Sequence, residues 1–465
     1  MSDVRQGEKV PLLFFICNYY IRKRLQNQIY SFREMVIAEN RFPVNKSGES
    51  IHFGLPAVFI DTTANRYYDS WEGIRKDEQM IRKEPKGMRK NGLKCLAFLT
   101  AVILLIGSAC TAEGLTETDD NFFVSTDPLY EKLTERVKKT SHSNSYKGSI
   151  LLATDDGIIL YGGPGSLTTD GQPTDMHTTY DIGSCSKLFT AVAVFQMIEA
   201  GMMSLEDPLG KYFPEYETGR DITVYQLLHM QSGIPDYTNE PDIFWGDTIA
   251  QDPDLLIRRF FSDDISDEEF LQNLYAAPLV FTPGTEQRYS NTNYHLLAMM
   301  VEQVSGMKLD AYMEEHIFRP CGMEHTTAMR SAEDLTSVPK MFMELLNDGL
   351  VDENGYTMQP VSERGAGGIH TCVTDLWVFD KALLSGQLVS SESLEEITHF
   401  DMDYGCGMCP FGKNGIGHSG RNGTYTTLNI IVESKQYGRI YFIASTPTDA
   451  GTYGLGILEN LIGNI

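Results

Sequence analysis

A serine and a lysine three residues apart are the first candidates for chemistry in this chain. Ser184 and Lys187 begin an almost unbroken apolar run, residues 188–198, which ends at Gly201. Residues three apart on a helix share one face, so the Lys187 amine can reach the Ser184 hydroxyl. The positive end of the helix dipole and burial both disfavour a charged amine at this place. The pair therefore predicts a nucleophile beside a base.

Two further copies of the Ser-x-x-Lys spacing lack this setting. The copy at Ser305 follows a helical run and has Gly306 where a helix C-cap belongs, whereas the copy at Ser337 contains a proline and precedes no comparable apolar run. Only the copy at Ser184 begins a core helix. The alternative interpretation of that copy is structural, with Ser184 as an N-cap and the Lys187 amine extended to solvent.

A tyrosine and an asparagine form the second candidate group. Tyr289 and Asn291 follow a Pro-Gly turn and directly precede the apolar-periodic run 294–304, which predicts a helix. A phenol at a rigid helix start can relay protons, and an amide can orient a substrate carbonyl. A competing Tyr-x-Asn, from Tyr237 to Asn239, lies in an acidic loop without such support.

A glycine-flanked histidine is the third candidate. Gly417, His418, Ser419 and Gly420 come just before a predicted C-terminal hairpin, and glycines allow another backbone to approach closely. The structural alternative is a simple turn. The segment is not a nucleophile elbow, because Arg421 stands where that pattern requires glycine.

The cysteines do not predict a disulfide framework or a metal site. Cys185, Cys321, Cys372, Cys406 and Cys409 remain beyond the N-terminal segment, and their number is odd. The Cys-x-x-Cys at 406–409 has no second pair and no suitably spaced histidines to complete a zinc site. We expect a pair of loop thiols there, with a disulfide as the alternative outside the cell.

Composition and charge bound the class of protein. The 465 residues are 42% hydrophobic and 11% aromatic, which suffices for a sizeable core and excludes a disordered chain. Of the net charge of −25, residues 1–109 contribute +6, which leaves −31 for residues 110–465. Such an acidic domain argues against nucleic acid and anionic membrane surfaces as its partners.

Residues 88–110 have the pattern of an export signal. A basic stretch, 88–94, precedes an apolar stretch, 95–106, and small residues lead to Cys110. The apolar stretch is too short to span a bilayer comfortably. The segment resembles a bacterial lipoprotein signal peptide with Cys110 as the lipidated first residue, although Gly107 stands where leucine is usual. Ordinary secretion, or retention of 95–106 as an anchor, is the alternative.

Residues 1–87 show no helix or strand pattern that assembles into a core. We expect them to reflect a mis-called translation start, with Met88 as the true start. The alternative is an N-terminal cytoplasmic extension. Residues 110–127 are expected to be a linker to the main domain, residues 128–465.

The main domain is predicted to be α/β (α+β). Hairpin patterns occur near both ends of the domain, with mainly helical patterns between them. The two hairpins suggest one antiparallel sheet built from both termini and flanked by helices, plus a mainly helical insertion at about 205–395. The predicted elements are a helix at 128–139, strands at 149–154 and 157–161, strands at 423–433 and 437–445, and a final helix at 453–461.

Order, spacing and flanks of the three motifs together resemble the serine β-lactamase-related family. The flanks that agree are residues 180–184, 227–237 and 365–368. The resemblance covers roughly residues 128–465 and implies a β-lactamase/transpeptidase-like fold. The family includes class C β-lactamases, low-mass serine DD-peptidases, D-aminopeptidases and esterases.

The resemblance also implies catalytic roles for the first two motifs. Ser184 would be the acylated nucleophile and Lys187 its activating amine. Tyr289 would relay the proton and later activate the hydrolytic water, because the family's flank assigns Tyr237 to a different loop. Asn291 would be a substrate-orienting amide.

For the third motif the resemblance implies a wall and an oxyanion hole. His418 and Gly420 would form the strand wall of the cleft, and the backbone N–H groups of Ser184 and Arg421 would bind the oxyanion. No metal and no organic cofactor is implied. Class C β-lactamases usually have lysine at the position of His418, so efficient β-lactam hydrolysis is the less favoured activity.

We therefore expect a secreted, membrane-tethered serine hydrolase that acts through an acyl-enzyme on an amide or ester. The substrates expected, in order, are D-Ala-D-Ala-type peptides such as cell-wall peptides, small esters and β-lactams. The alternatives are a β-lactamase, a non-catalytic penicillin-binding or sensor module, and a purely structural surface protein. The expected location is the outer side of a bacterial cell membrane, through a lipid on Cys110.

Overall fold

The computed structural model describes residues 115–118, 121–144, 146–163, 173–246, 265–328, 364–422, 425–446, 456, 458, 459, 461 and 462. The export signal, Cys110 and most of the predicted final helix lie outside these residues, as does the Ser-x-x-Lys copy at Ser337.

An eight-stranded antiparallel sheet lies at the centre of the domain, in the order β1-β2-β4-β3-β10-β9-β8-β7. Strand β3 near the start of the domain pairs with β10 near its end, so the two hairpins join in one sheet. The expectation of one sheet built from both termini is therefore confirmed. The strands, including the separate pair β5–β6, are β1 Leu115–Glu117, β2 Phe122–Ser125, β3 Ser149–Ala153, β4 Ile158–Gly162, β5 Tyr180–Asp181, β6 His370–Thr371, β7 Cys409–Phe411, β8 Gly415–Asn422, β9 Tyr425–Ser434 and β10 Gly438–Thr446.

Helices cover both faces of the sheet, which is why β9 and β10 are almost continuously buried. No helix among the described stretches is long and apolar enough to cross a membrane. The helices are α1 Glu131–Ser143, α2 Ser186–Glu199, α3 Val224–Leu228, α4 Pro241–Phe244, α5 Asp267–Ala276, α6 Asn291–Ser305, α7 Leu309–Met313, α8 Arg319–Cys321, α9 Val373–Leu384 and α10 Ser391–Ile397.

The segment expected to be a linker is partly sheet. β1 and β2 pair with each other, and β2 pairs with β4, so these two strands extend the sheet at one edge. Phe122 is fully buried, and the ring of Phe123 stacks on Tyr161 with 4.5 Å between centroids. The domain therefore begins before residue 128, because this apolar pair needs the sheet for its burial.

The last part of the predicted helical insertion packs against the sheet. Helix α9 contacts β3 and β10, and the indole Nε1 of Trp377 donates to the Thr154 carbonyl at 3.2 Å. On the same side, Phe379 of α9 stacks on Phe189 of α2 with 3.8 Å between centroids. Thus α9 belongs to the layer that packs on the sheet and supports α2.

Helix α2 is the buried helix that the apolar run predicted. Its side chains are buried on all sides as far as Phe195, because α6 packs against it and α9 touches it through Phe189. A 3₁₀ turn, Gly183–Cys185, precedes it, so Ser184 lies in that turn and Lys187 in the first turn of the helix.

Candidate active site

The turn that carries Ser184 lies directly against strand β8. A Cβ atom on Gly420 would lie 1.7 Å from the Ile182 carbonyl oxygen and 2.9 Å from the Ser184 nitrogen. Gly183 has φ +49°, and a Cβ there would lie 2.6 Å from the backbone nitrogen of Arg421. Only glycine fits at either place. The glycine-flanked segment is thus part of a strand, not a simple turn, and it brings the Arg421 backbone N–H close to the turn of Ser184.

Two polar groups meet at the Ser184 hydroxyl. The Lys187 amine donates to Ser184 Oγ at 3.0 Å, and the Tyr289 hydroxyl lies 2.6 Å from the same oxygen. Lys187 is fully buried, so the interpretation in which its amine extends to solvent is wrong. The Ser-x-x-Lys pair and the tyrosine, 105 residues away in sequence, form one cluster.

The Lys187 amine has two further acceptors. It donates to Asn291 Oδ1 at 2.7 Å and to the Ala366 carbonyl at 2.6 Å. The Ala366 carbonyl reaches the amine because Gly365 packs closely on α6 and its own carbonyl accepts from Thr190 Oγ1 at 2.8 Å. The three oxygens around the amine, on Ser184, Asn291 and Ala366, are neutral, and the last two orient it toward Ser184.

The structure separates the two candidate tyrosines. The Tyr237 ring is buried among aromatic rings, 5.5 Å from Phe270 and 6.1 Å from Phe244 between centroids. Tyr289 instead is 36% exposed and faces Ser184. Burial of its hydroxyl raises the pKa of Tyr289 well above 10, and the Ser184 hydrogen bond lowers it by less. Tyr289 is therefore protonated at neutral pH and can share that proton with Ser184.

Asn291 is the first residue of α6, and its side chain donates hydrogen bonds to the Asp236 carboxylate. Its Nδ2 donates to Asp236 Oδ2 at 3.1 Å and to Thr238 Oγ1 at 2.7 Å. Its Oδ1 faces Lys187. The amide predicted to orient a substrate thus has both its N–H groups engaged by protein oxygens.

His418 on β8 lies at the wall of the site, on the strand face opposite to that of Arg421. Its side chain is 7% exposed, whereas Arg421 is exposed. Burial, and then the nearby Lys187 amine in its protonated form, lower the pKa of His418 to about 4. The Tyr404 hydroxyl lies 3.0 Å from His418 Nε2. The wall at this point is therefore uncharged at neutral pH.

The loop cysteines near the site are free thiols. Cys406 is fully buried with Sγ 3.4 Å from His229 Nε2, and Cys409 is partly exposed. Burial raises the pKa of the Cys409 thiol to about 11, which keeps it protonated at neutral pH. Within the described ranges no three His, Cys, Asp or Glu side chains are placed to hold a metal ion.

Three groups of the site were not singled out from the sequence. They are the Asp236 carboxylate, the Tyr404 hydroxyl and the Ala366 carbonyl. Asp236 had a local signal, because an Asp in an acidic loop can form an Asx turn with the residue two positions on, and its Oδ1 accepts from Thr238 N at 2.8 Å. The Ala366 carbonyl had no sequence signal, because every residue has a backbone carbonyl.

The arrangement has the parts of a nucleophilic acyl-transfer site. A serine hydroxyl has an amine and a phenol in hydrogen-bond reach, and backbone N–H groups come close beside it. The described residues supply these groups from the turn before α2, the start of α6 and strand β8.

Comparison with known proteins agrees with this reading. The family model Beta-lactamase matches residues 133–454 of the chain. PbpX of Bacillus subtilis (strain 168), a protein named for penicillin binding, is 30% identical over 220 residues, which cover 47% of this chain and 50% of PbpX. Penicillin-binding protein 4* of the same organism is 26% identical over 325 residues, which cover 65% of this chain and 67% of that protein. The match thus spans only half the length of PbpX.

Among solved structures, a D-stereospecific amidohydrolase from Streptomyces sp. has the same fold. It superposes with a TM-score of 0.54 at 23% identity, over 70% of this chain and 98% of the amidohydrolase. At this level of identity, the similarity shows a shared fold and does not identify a substrate.

Proposed function

The chain belongs to the beta-lactamase family, and we propose that it is a serine hydrolase that forms an acyl-enzyme with an amide or ester substrate. One observation carries the proposal: the Ser184 hydroxyl lies 3.0 Å from the Lys187 amine and 2.6 Å from the Tyr289 hydroxyl. A nucleophile needs an acceptor for its proton within this reach.

In the proposed acylation, Ser184 Oγ attacks the substrate carbonyl carbon and a C–O bond forms. In its neutral form the Lys187 amine donates its two protons to Asn291 Oδ1 and the Ala366 carbonyl and accepts the serine proton on its lone pair. The Tyr289 hydroxyl passes a proton to the leaving amine or alcohol as its bond to carbon breaks. The backbone N–H groups of Ser184 and Arg421 hold the oxyanion, and one such donor typically stabilises the transition state by about 3 kcal/mol. The close approach of β8 to the turn of Ser184 supports this assignment.

In the proposed deacylation, water replaces the leaving group. Tyr289 accepts a proton from water, directly after it has given its own proton away, and the hydroxide equivalent attacks the acyl carbon. The partial exposure of Tyr289 supports this role, because the phenol is open to water on one side. The released serine oxygen regains its proton from Lys187.

We place the substrates in the DD-peptidase or esterase-like class. His418, neutral at neutral pH, stands where class C β-lactamases usually carry lysine, and this supports peptide or ester substrates over β-lactams. Relatives of the chain bear names of penicillin-binding proteins, and one neighbour in fold is named as a D-stereospecific amidohydrolase.

The proposal includes secretion and a membrane tether. It rests on the basic, apolar and small-residue pattern of residues 88–109 followed by Cys110. A diacylated cysteine supplies two chains, and two chains suffice for stable anchoring at about 0.8 kcal/mol per buried CH₂.

A substrate panel tests the proposed function. Purified protein is given p-nitrophenyl acetate, a peptide ending in D-Ala-D-Ala and a chromogenic cephalosporin, with Ser184→Ala as the matched control. We expect turnover of the ester or the peptide, and its loss in the variant. Preferred turnover of the cephalosporin indicates a β-lactamase instead. A stable adduct without turnover of any compound indicates a binding or sensor module.

A further inference from the structure

The structure assigns a positioning role to Met230, which fixes the backbone on both sides of Tyr289 and so holds the phenol against Ser184. This inference rests on the proposed function, in which Tyr289 protonates the leaving group. Met230 lies shortly after α3 and is only 1% exposed. A substrate does not reach a side chain buried to this degree, so the effect of Met230 on the reaction passes through Tyr289.

The backbone at Met230 is unusual for a residue that has a side chain. Met230 has φ +58°, in the left-handed region, as one of two such non-glycine residues in the described parts of the chain. Its N–H donates to the Leu227 carbonyl at 3.3 Å, and the Gln231 N–H donates to the Gln226 carbonyl at 2.7 Å. These two bonds form the Schellman turn that ends α3, where glycine is the usual residue. Because methionine is unfavourable in this conformation, its presence points to a function of the side chain.

The side chain of Met230 accepts hydrogen bonds from the start of α6. The Ser290 backbone N–H donates to Met230 Sδ at 3.3 Å, and Asn293 Nδ2 donates to the same sulfur at 3.6 Å. Ser290 and Asn293 are both buried, so these donors need acceptors inside the protein. A thioether is a weak acceptor on a flexible, unbranched side chain. Leucine would fill a similar volume and accept neither bond.

The carbonyl of Met230 holds the chain on the other side of Tyr289. It accepts from the Arg288 N–H at 2.8 Å, while the sulfur accepts from the Ser290 N–H. Arg288 and Ser290 are the two neighbours of Tyr289 in the sequence. One residue therefore binds the backbone immediately before and immediately after the catalytic tyrosine.

Tyr289 needs this support because it lies outside the helix that follows it. Helix α6 begins at Asn291, and Ser290 at its N-cap makes no side-chain cap bond. The Tyr289 hydroxyl lies 2.6 Å from Ser184 Oγ, and proton transfer over such a distance is sensitive to small displacements of the backbone. Loss of the Met230 sulfur should therefore impair proton transfer to the leaving group before it impairs other steps.

The first arm of the test compares two acetate esters with different leaving groups. The p-nitrophenolate of p-nitrophenyl acetate departs readily as an anion, whereas the alkoxide of benzyl acetate must receive a proton as it leaves. Both esters form the same acetyl-enzyme, so a difference between their kcat/KM values arises during acylation. We expect Met230→Leu to lower kcat/KM by about tenfold for benzyl acetate and by less than about threefold for p-nitrophenyl acetate. Equal losses on the two esters, or no loss, would overturn the inference.

Met300→Leu is the matched control for this substitution. Met300 is a fully buried methionine within α6 and is subject to the same change of side chain. Its replacement should leave the ratio of the two kcat/KM values as in the wild type. A selective loss for benzyl acetate in both variants would show that the effect is not specific to Met230, and would contradict the inference.

The second arm places Met230→Leu in the Tyr289→Phe background. Tyr289→Phe alone should lower kcat/KM more for benzyl acetate than for p-nitrophenyl acetate, and the added Met230→Leu should change this ratio by less than about twofold. A larger further change would show that Met230 acts through another group, and would overturn the inference. If the wild type releases neither alcohol, or if Tyr289→Phe lowers both rates equally, the proposed function and the inference fail together. A selective Tyr289→Phe with an unselective Met230→Leu overturns the inference alone.

A third variant covers a failure of Met230→Leu to fold. Met230→Gly gives the turn after α3 the residue that its positive φ favours, and it also removes the sulfur. Its unfolding midpoint in urea establishes that the variant is folded. We expect the same selective loss for benzyl acetate as in Met230→Leu, and a ratio of kcat/KM values equal to that of the wild type would contradict the inference.

Discussion

The Tyr404 hydroxyl donates to His418 Nε2 at 3.0 Å, and this bond defines the state of the imidazole. His418 Nδ1 lies 2.5 Å from the carbonyl oxygen of Ser419, which can only accept, so Nδ1 carries the proton and Nε2 is the acceptor. Both side chains are buried. A neutral imidazole satisfies both partners, whereas protonation of Nε2 would require the Tyr404 hydroxyl to turn from donor to acceptor.

The first prediction concerns the stability of the folded protein at low pH, which depends on the neutral state of His418. The pKa of His418 falls from 6.5 to about 4 on burial, so below about pH 6.5 the unfolded chain binds a proton that the folded chain does not. The stabilising contribution is present above pH 6.5 and is lost as the pH falls toward 4. The His418→Gln substitution removes this pH-dependent contribution, because glutamine does not titrate. The stability difference between wild type and variant should therefore shrink by about 2–3 kcal/mol between pH 7.5 and pH 4.5.

Urea titrations at the two pH values measure this difference. The exposed His399→Gln is the matched control and should follow the wild type at both. Parallel loss of stability in wild type and His418→Gln would contradict a neutral, buried imidazole.

The second prediction concerns Asp380 of α9. It is fully buried with one oxygen 3.1 Å from Asn429 Nδ2, and within the part of the chain that the structure describes its Oδ2 has no hydrogen-bond partner. Burial raises the pKa of Asp380 from 3.8 to about 8. The folded state therefore favours the protonated acid, and stability is full below about pH 4 and falls as the pH rises toward 8.

Asp380→Asn keeps the shape of the side chain and removes this titration. Relative to wild type, the variant should gain unfolding free energy between pH 5 and pH 8.5, by a few kcal/mol at most. Urea unfolding at both pH values is the measurement, with the exposed Asp403→Asn as control. A variant that is equally offset from wild type at both pH values would show that Asp380 is ionised throughout.

The two hairpins and the buried helix could be predicted from the sequence because their signals are local. The apolar run after Lys187 and the alternating hairpins contain their own periodicity. Strands β1 and β2 could not be predicted, because two short strands at a sheet edge have too few residues to show alternation. Helix α9 was placed in the insertion because nothing in its sequence says which layer it joins.

Only part of the site could be predicted from the sequence, because only contacts between residues close in sequence leave a local pattern. Ser184 and Lys187 are three residues apart and share a helix start, so their contact is visible in the sequence. Tyr289 and Ser184 are 105 residues apart, and their pairing came from the family resemblance and not from spacing. Asp236 contacts Asn291 across 55 residues, and the turn pattern around Asp236 does not say which distant residue its carboxylate will bind.

The third prediction tests the Lys187 amine as a base. Lys187→Arg should slow acylation by about a thousandfold or more, because a guanidinium stays protonated and cannot accept the serine proton. Lys308→Arg, in the other described Ser-x-x-Lys copy, is the matched control, since that side chain is 67% exposed. Stopped-flow acylation by an activated ester gives the rates. Near-normal acylation in Lys187→Arg would rule out the amine as proton acceptor.

The fourth prediction tests the proposed lipid anchor. The expressed protein should partition into the detergent phase with a diacylglyceryl mass on Cys110, and Cys110→Ala should release it to the aqueous phase. Phase separation followed by mass spectrometry of the N-terminal peptide is the measurement. An unmodified N-terminus downstream of residue 110 would contradict the anchor.

The most direct test of the account is the site of covalent labelling. Intact-mass spectrometry after treatment with a fluorophosphonate or a fluorescent penicillin, followed by peptide mapping, discriminates three neighbouring nucleophiles. Cys185 is buried, and Ser186 is buried with its Oγ accepting from the Ile369 N–H, so only Ser184 is accessible. We predict one adduct, on Ser184, and none in Ser184→Ala, whose unfolding free energy changes by about 1 kcal/mol, the net contribution of a typical hydrogen bond. An adduct on Ser184→Ala, or one mapped to Cys185 or Ser186 in the wild type, would contradict the central claim.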